Sequence, residues 1–159
     1  MKTIIVQQSD DDAWMTQAMH LACALARNTG GHLVLLRLVL ANNPGLLGWG
    51  IAPQTTKEQK QATLCAAIAQ DYGVDVSIQT MHFLTTIDAL AQAAQQLNAV
   101  ALFAHIADSR FPLWRRFRLW SLERQLHGCH LYPLDENLVP TSRGYLVPIT
   151  TRNHRRALK

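Results

Sequence analysis

No glycine occurs between Gly73 and Gly128, and the whole chain of 159 residues holds only eight. That gap excludes from the middle of the chain any loop in which glycines let backbone amides close on a phosphate, the GxxxxGK type included. Charge is scarce too, at 16% of residues against 48% hydrophobic. Such a balance excludes a disordered chain and predicts one buried core. Cysteine is limited to Cys23, Cys65 and Cys129, an odd and widely spaced set. This is not the disulfide framework of a small secreted domain, and Cys23 and Cys65, inside apolar helical patterns, read as core residues. No apolar run nears the roughly 20 residues of a membrane span. The opening MKTIIVQQSDDD is too briefly apolar for a secretory leader, so a cytoplasmic protein is expected.

What the chain does have is an uneven distribution of charge. Residues 1–109 carry five Lys/Arg against eight Asp/Glu, whereas residues 110–159 carry ten against three. An anionic partner is therefore to be sought in the last third.

Apolar periodicity divides the chain into alternating strands and helices. Thr3–Gln7 reads as a buried strand, and Ser9-Asp10-Asp11-Asp12 as a turn with an acid capping the next helix. That helix is expected over about 13–28, with Gly30-Gly31 as its stop. HLVLLRLVL (His32–Leu40) has the near-continuous hydrophobicity of a central strand covered on both faces. Residues 41–55 form a loop rich in Gly and Pro yet carrying Leu46, Leu47, Trp49 and Ile51, which must fold back on the body or meet a partner; folding back is favoured. A helix over 56–71 follows, then a strand over 74–81 with Val74, Val76 and Ile78 inward, and an Ala-rich helix over 86–97. AVALFAH (99–105) reads as a buried strand, 113–126 as a helix after Pro112, and 130–134 as a last short strand.

This β-α-β-α-β-α-β-α-β order predicts an α/β fold: a three-layer, doubly wound, five-stranded, mostly parallel sheet of flavodoxin or Rossmann type. Residues 1–134 form the domain. Residues 135–159 are an extension, in which 145–149 is a candidate edge strand or a strand crossing to a second subunit, and the basic end is expected to be disordered.

Over roughly residues 3–134 the sequence resembles the universal stress protein family. The resemblance is carried by IIVQQSDDD, LACALARNTGG, HLVLLRLVL and LNAVALFAH, and by Glu123-Arg124 with Leu126, in the family's element order. It implies a stress-response role and a homodimer formed through the last strand, HLYPL. ATP-binding members carry Gly-two-Gly, then a third Gly before Ser/Thr roughly nine residues on, as a phosphate cradle. Here the first two positions fall at Ala104 and Ala107, and the third near Leu119-Trp120 before Ser121. The family's adenine-side Asp falls at Ser9, beside Asp10. Ser9, Asp10, Ala104, His105, Ala107 and Ser121 thus mark a degenerate nucleotide site. Methyl groups at the close-approach positions, and a Trp filling the third, argue against ATP held in the family's manner, so no cofactor is expected.

The leading expectation is a non-catalytic regulatory or adaptor protein acting through an unidentified protein partner. Its candidate contact surfaces are the loop around Trp49 and the segment RFPLWRRFRLW, with Arg110, Trp114, Arg115, Arg116 and Arg118. Leu113, Phe117 and Trp120 share one helical face, and Arg115, Arg118 and Arg124 point elsewhere. A core-covering helix with snorkelling arginines is the favoured reading of that segment; Trp114 is the residue left over for contact. Two alternatives stay open. One is an anion or nucleotide sensor using the arginines of 110–124. The other is a peripheral membrane or nucleic-acid binder using the basic last third. His105 lies where ligands settle in such sheets, but neither Asp108 nor Ser109 makes a triad with it by sequence proximity alone. His127-Gly128-Cys129-His130 reads as a turn, and no metal site is expected.

Overall fold

The computed structural model describes residues 1–106, 111–134, 138–140 and 146–148. Its first strand, β1 (Thr3–Gln7), is buried at every position. Helix α1 (Asp12–Thr29) follows, with the Asp11 side chain accepting from the Trp14 N–H and Gly30 closing the helix at φ 65°. Only glycine takes that left-handed turn without strain. Then come β2 (His32–Leu40), the two-residue β3 (Gly48–Trp49), α2 (Thr56–Tyr72), β4 (Val76–Phe83), α3 (Thr86–Gln96), β5 (Ala99–Phe103), α4 (Pro112–Gln125) and β6 (His130–Tyr132).

The main sheet has six strands in the order β3-β4-β2-β1-β5-β6. The five expected strands are all parallel, and β3 adds an antiparallel edge by pairing Gly48 with His82 and Trp49 with Met81. Strand alternation splits the core in two. Ile4, Val6, Leu33, Leu35 and Phe103 pack under α1 and α2, among Met15, Met19, Cys23, Cys65 and Ile68. Ile5, Val34, Leu36 and Leu102 face the other way, onto Leu90, Ala93 and Ala94 of α3 and Leu122 of α4. Alanines along the helices bring them close to the sheet, giving the three-layer doubly wound fold the sequence predicts.

Several local expectations change. The loop 41–55 does fold back, through β3 and through Arg37, whose guanidinium donates to the carbonyls of Ala52 (2.9 Å) and Pro53 (2.6 Å). Its large side chains nevertheless stay outside, Ile51 almost fully exposed. In β4 the core residues are Met81, almost fully buried, with Val76 and Phe83 partly buried, whereas Ile78 is 44% exposed. That strand lies one place from the sheet edge, and the segment around Trp49–Gln54 flanks Ile78. Leu146–Pro148, β8, pairs antiparallel with Leu138–Pro140, β7, in a separate two-stranded sheet and adds no edge to the main one. The expected disorder of the basic end concerns residues outside those described.

Candidate functional site

The chain runs outward from β1 through β2 to β4, then returns to β5 on the other side of β1. That reversal opens a crevice at the carboxyl ends of β1 and β5, where doubly wound folds place their ligands. Gln7, Gln8 and Ser9 enter it from β1, and Ala104, His105 and Ile106 from β5.

Ser9 and His105, 96 residues apart, meet there with Ser9 Oγ 2.9 Å from His105 Nδ1. Ser9 Oγ also accepts the Asp11 N–H at 3.2 Å. The buried Trp14 ring tilts against the imidazole at 5.1 Å, held by its own N–H on the Pro133 carbonyl. On the far side of the ring, His105 Nε2 lies 3.9 Å from Asp11 Oδ2. That is an ion-pair distance, longer than the hydrogen bond by which a triad carboxylate orients its imidazole. Gln61 of α2, buried, braces the turn by donating to the Ser9 carbonyl (2.7 Å) and to Asp12 Oδ1 (3.2 Å) and accepting from Gln8. Sequence reasoning gave neither Trp14 nor Gln61 a role. The one available signal was Trp14's place three residues after the capping Asp11.

Two backbone donors at the crevice mouth are occupied. The Ala104 N–H bonds the Tyr132 carbonyl of β6 at 3.2 Å. The His105 N–H bonds Gln7 Oε1 at 3.0 Å. Among the described residues, position 104 thus carries a methyl and these two amides are engaged; Ala107, the second cradle position, lies outside them.

The other expected site residues scatter. Asp10 is exposed, and its carbonyl accepts from Lys57 at 3.3 Å, so the acid beside His105 is Asp11. Ser121 is half-buried on α4. Ala107 and Arg110 lie outside the described residues. Arg118 lines a cavity of about 460 Å³ with Gln7, Thr85, Thr86, His105 and Ile106. Arg115 Nε reaches the Ile106 carbonyl at 3.4 Å, while Arg116 is exposed. Trp49 sits at the opposite edge of the sheet from β6, its indole donating to Gln96 at 2.5 Å.

Helix α4 does cover the core, but not with the aromatic stripe. Its core contacts are Leu119, Leu122 and Leu126. Leu113, Trp114, Phe117 and Trp120 face outward, at 76%, 55%, 55% and 51% exposure. Trp120 therefore does not fill the crevice. Nor does Arg124 point away from the aromatics, since its guanidinium covers the Trp120 ring at 4.8 Å. The reason is rotational: Leu119, Leu122 and Leu126 recur at three- and four-residue spacing on the side opposite Phe117, and one helix has only one face for the sheet.

Among the described residues no helix is long and apolar enough to cross a membrane, and no group of three His, Cys, Asp or Glu is placed to hold a metal. Burial pushes the Cys65 and Cys129 thiols up to about 11, and burial followed by the neighbouring Cys65 does the same to Cys23.

A six-stranded, doubly wound sheet with its crevice between β1 and β5 defines the class of α/β protein; solved structures give the particular fold. The chain is similar to a universal stress protein solved with cAMP, at TM-score 0.59 and 13% identity over 84% of this chain and 96% of that one. It is similar to a universal stress protein from Archaeoglobus fulgidus at TM-score 0.54 and 14% identity, over 82% and 91% of the two chains. A universal stress protein family member from Burkholderia pseudomallei gives TM-score 0.53 and 17% identity, over 82% and 92%. The fold is that of the universal stress proteins. No family model and no curated protein matches the sequence.

Proposed function

We propose that this chain is a divergent, non-catalytic regulatory or adaptor protein of the universal stress protein type, working in the cytoplasm through contacts made by α4 and not through ATP. The observation that carries this reading is the outward turn of Leu113, Trp114, Phe117 and Trp120 on a helix whose core contacts are made by other residues. Large apolar side chains grouped on a surface mark an interaction site. The Ser9–His105–Asp11 group serves as a structural knot at the crevice mouth. A homodimer is part of the proposal: β6 is the edge strand beyond β5, from which a second copy can extend the sheet.

Mass spectrometry of the purified protein, with calorimetric titration of ATP, AMP, cAMP and cyclic dinucleotides, tests this reading. The expected result is no co-purified nucleotide and no saturable binding. A second reading has one specific observation in its favour, the cavity where Arg118, His105 and the first turn of α3 converge. Saturable nucleotide binding weakened by Arg118→Ala establishes that sensor and removes the first reading.

A further inference from the structure

We infer that α4 is an interfacial helix that seats this protein on an anionic lipid bilayer. The inference rests on the docking role proposed for that helix and names the partner. Leu113, Phe117 and Trp120 follow one another at four- and three-residue spacing along the outer crest, with Trp114 beside them. The rings form a ladder, Trp114 to Phe117 at 6.1 Å and Phe117 to Trp120 at 6.0 Å. Arg124 continues the crest, seven residues after Phe117, over the Trp120 ring. Arg116 and Arg118, both exposed, fall on the two margins of the apolar stripe, Arg118 also lining the crevice cavity and the exposed Glu123 sharing the Arg116 margin. An apolar centre of Trp, Phe and Leu with cations at its rim is the pattern of a helix lying in the headgroup layer. Indoles favour that depth, and arginines there meet anionic headgroups. Leu119, Leu122 and Leu126 meanwhile hold the opposite face on the domain, so docking requires no unfolding.

Other occupants fit less well. A second copy packed crest to crest would set Arg116, Arg118 and Arg124 near their like-charged equivalents. The chain's own extension, residues 135–159, carries five Lys/Arg against two Asp/Glu and is repelled for the same reason. Duplex nucleic acid needs cations across the contact to meet its phosphates, whereas the centre of this one is apolar. An acidic protein would need a groove shaped to a convex helix, whereas a bilayer yields to one.

The test is co-sedimentation of the full chain with phosphatidylcholine vesicles containing about a third phosphatidylserine, at low and high salt. The variant Leu113→Glu/Phe117→Glu changes only exposed side chains and keeps all four tryptophans as reporters. The expected result is salt-sensitive binding with a blue shift of tryptophan emission, weakened at least about tenfold in the variant. Equal binding by the variant overturns the inference, because the contact then lies elsewhere. So does stronger binding to duplex DNA than to vesicles, or no vesicle binding at low salt. In those cases sedimentation velocity of both proteins decides the underlying reading. Self-association lost in the variant preserves α4 as a docking helix with a second copy as occupant; identical behaviour removes the docking role as well.

Discussion

Ser9 and His105, 96 residues apart, meet with Ser9 Oγ 2.9 Å from His105 Nδ1. The Asp11 carboxylate on the far side of the ring favours a proton on Nε2, which leaves Nδ1 to accept the Ser9 hydroxyl while that oxygen accepts the Asp11 N–H. The expected observation is an Nε2–H tautomer for His105 in long-range nitrogen–proton spectra of the imidazoles. Ser9→Ala removes that hydrogen bond and costs about 1 kcal/mol. An Nδ1–H tautomer in the wild-type protein contradicts the arrangement.

The occupied amides of the crevice lead to a second expectation. Restoring a family-like glycine by Ala104→Gly frees no donor, since the residue 104 N–H still serves Tyr132 and the His105 N–H still serves Gln7. The variant therefore gains no ATP affinity by calorimetry, and it loses about 0.5–1 kcal/mol of stability from the added backbone freedom. Appearance of micromolar ATP binding would show that the methyl alone closes the site.

Arg37 and Glu58 give the fold an acid-side dependence. Arg37 is buried in the middle of a core strand, and its guanidinium meets Glu58 Oε2 at 2.9 Å. The Thr55 N–H bonds the same oxygen at 2.8 Å. That backbone bond, more than the Arg37 partner, holds the Glu58 carboxyl below its ordinary 4.5, while burial pushes the other way. A carboxyl depressed in the folded state stabilises above its unfolded pKa, and the contribution is lost as pH falls through the folded value. Urea midpoints should thus drop on acidification below 4.5, and Glu58→Gln should flatten that part of the profile. At neutral pH, Glu58→Gln costs about 1–3 kcal/mol by leaving the Arg37 charge short of its partner. A variant as stable as wild type at neutral pH, with the same acid profile, would remove the pair from the account.

These three sites show what a sequence exposes and what it hides. The elements were legible because each is written locally: Gly30 and Gly73 end their helices at positive φ. The near-continuous apolar runs of β1, β2 and β5 likewise marked buried strands. The crevice was legible by position, through Ser9 and His105 at the ends of their strands, but their pairing spans 96 residues and leaves no local trace. Gln61 and Arg37 were missed for the same reason; each is a polar residue in an apolar pattern whose partners lie on other elements. β3 was illegible because two residues show no period.

Helix α4 is where the sequence misled, and its two faces predict opposite responses. Leu113, Phe117 and Trp120 form as good a helical stripe as Leu119, Leu122 and Leu126, so periodicity alone cannot say which faces the sheet. The structure buries Leu122 completely and leaves Phe117 55% exposed. Leu122→Ala removes packed methyl groups beneath a closed layer and should cost about 2–5 kcal/mol in urea denaturation. Phe117→Ala, like Leu113→Ala, takes away little that folding buries and should stay within about 0.5 kcal/mol of wild type. Trp120→Ala also loses the Arg124 contact, which is worth about 0.5–1 kcal/mol at an exposed site. If Phe117→Ala proved as damaging as Leu122→Ala, the helix would be turned the other way, and the aromatic face would belong to the core and not to a partner.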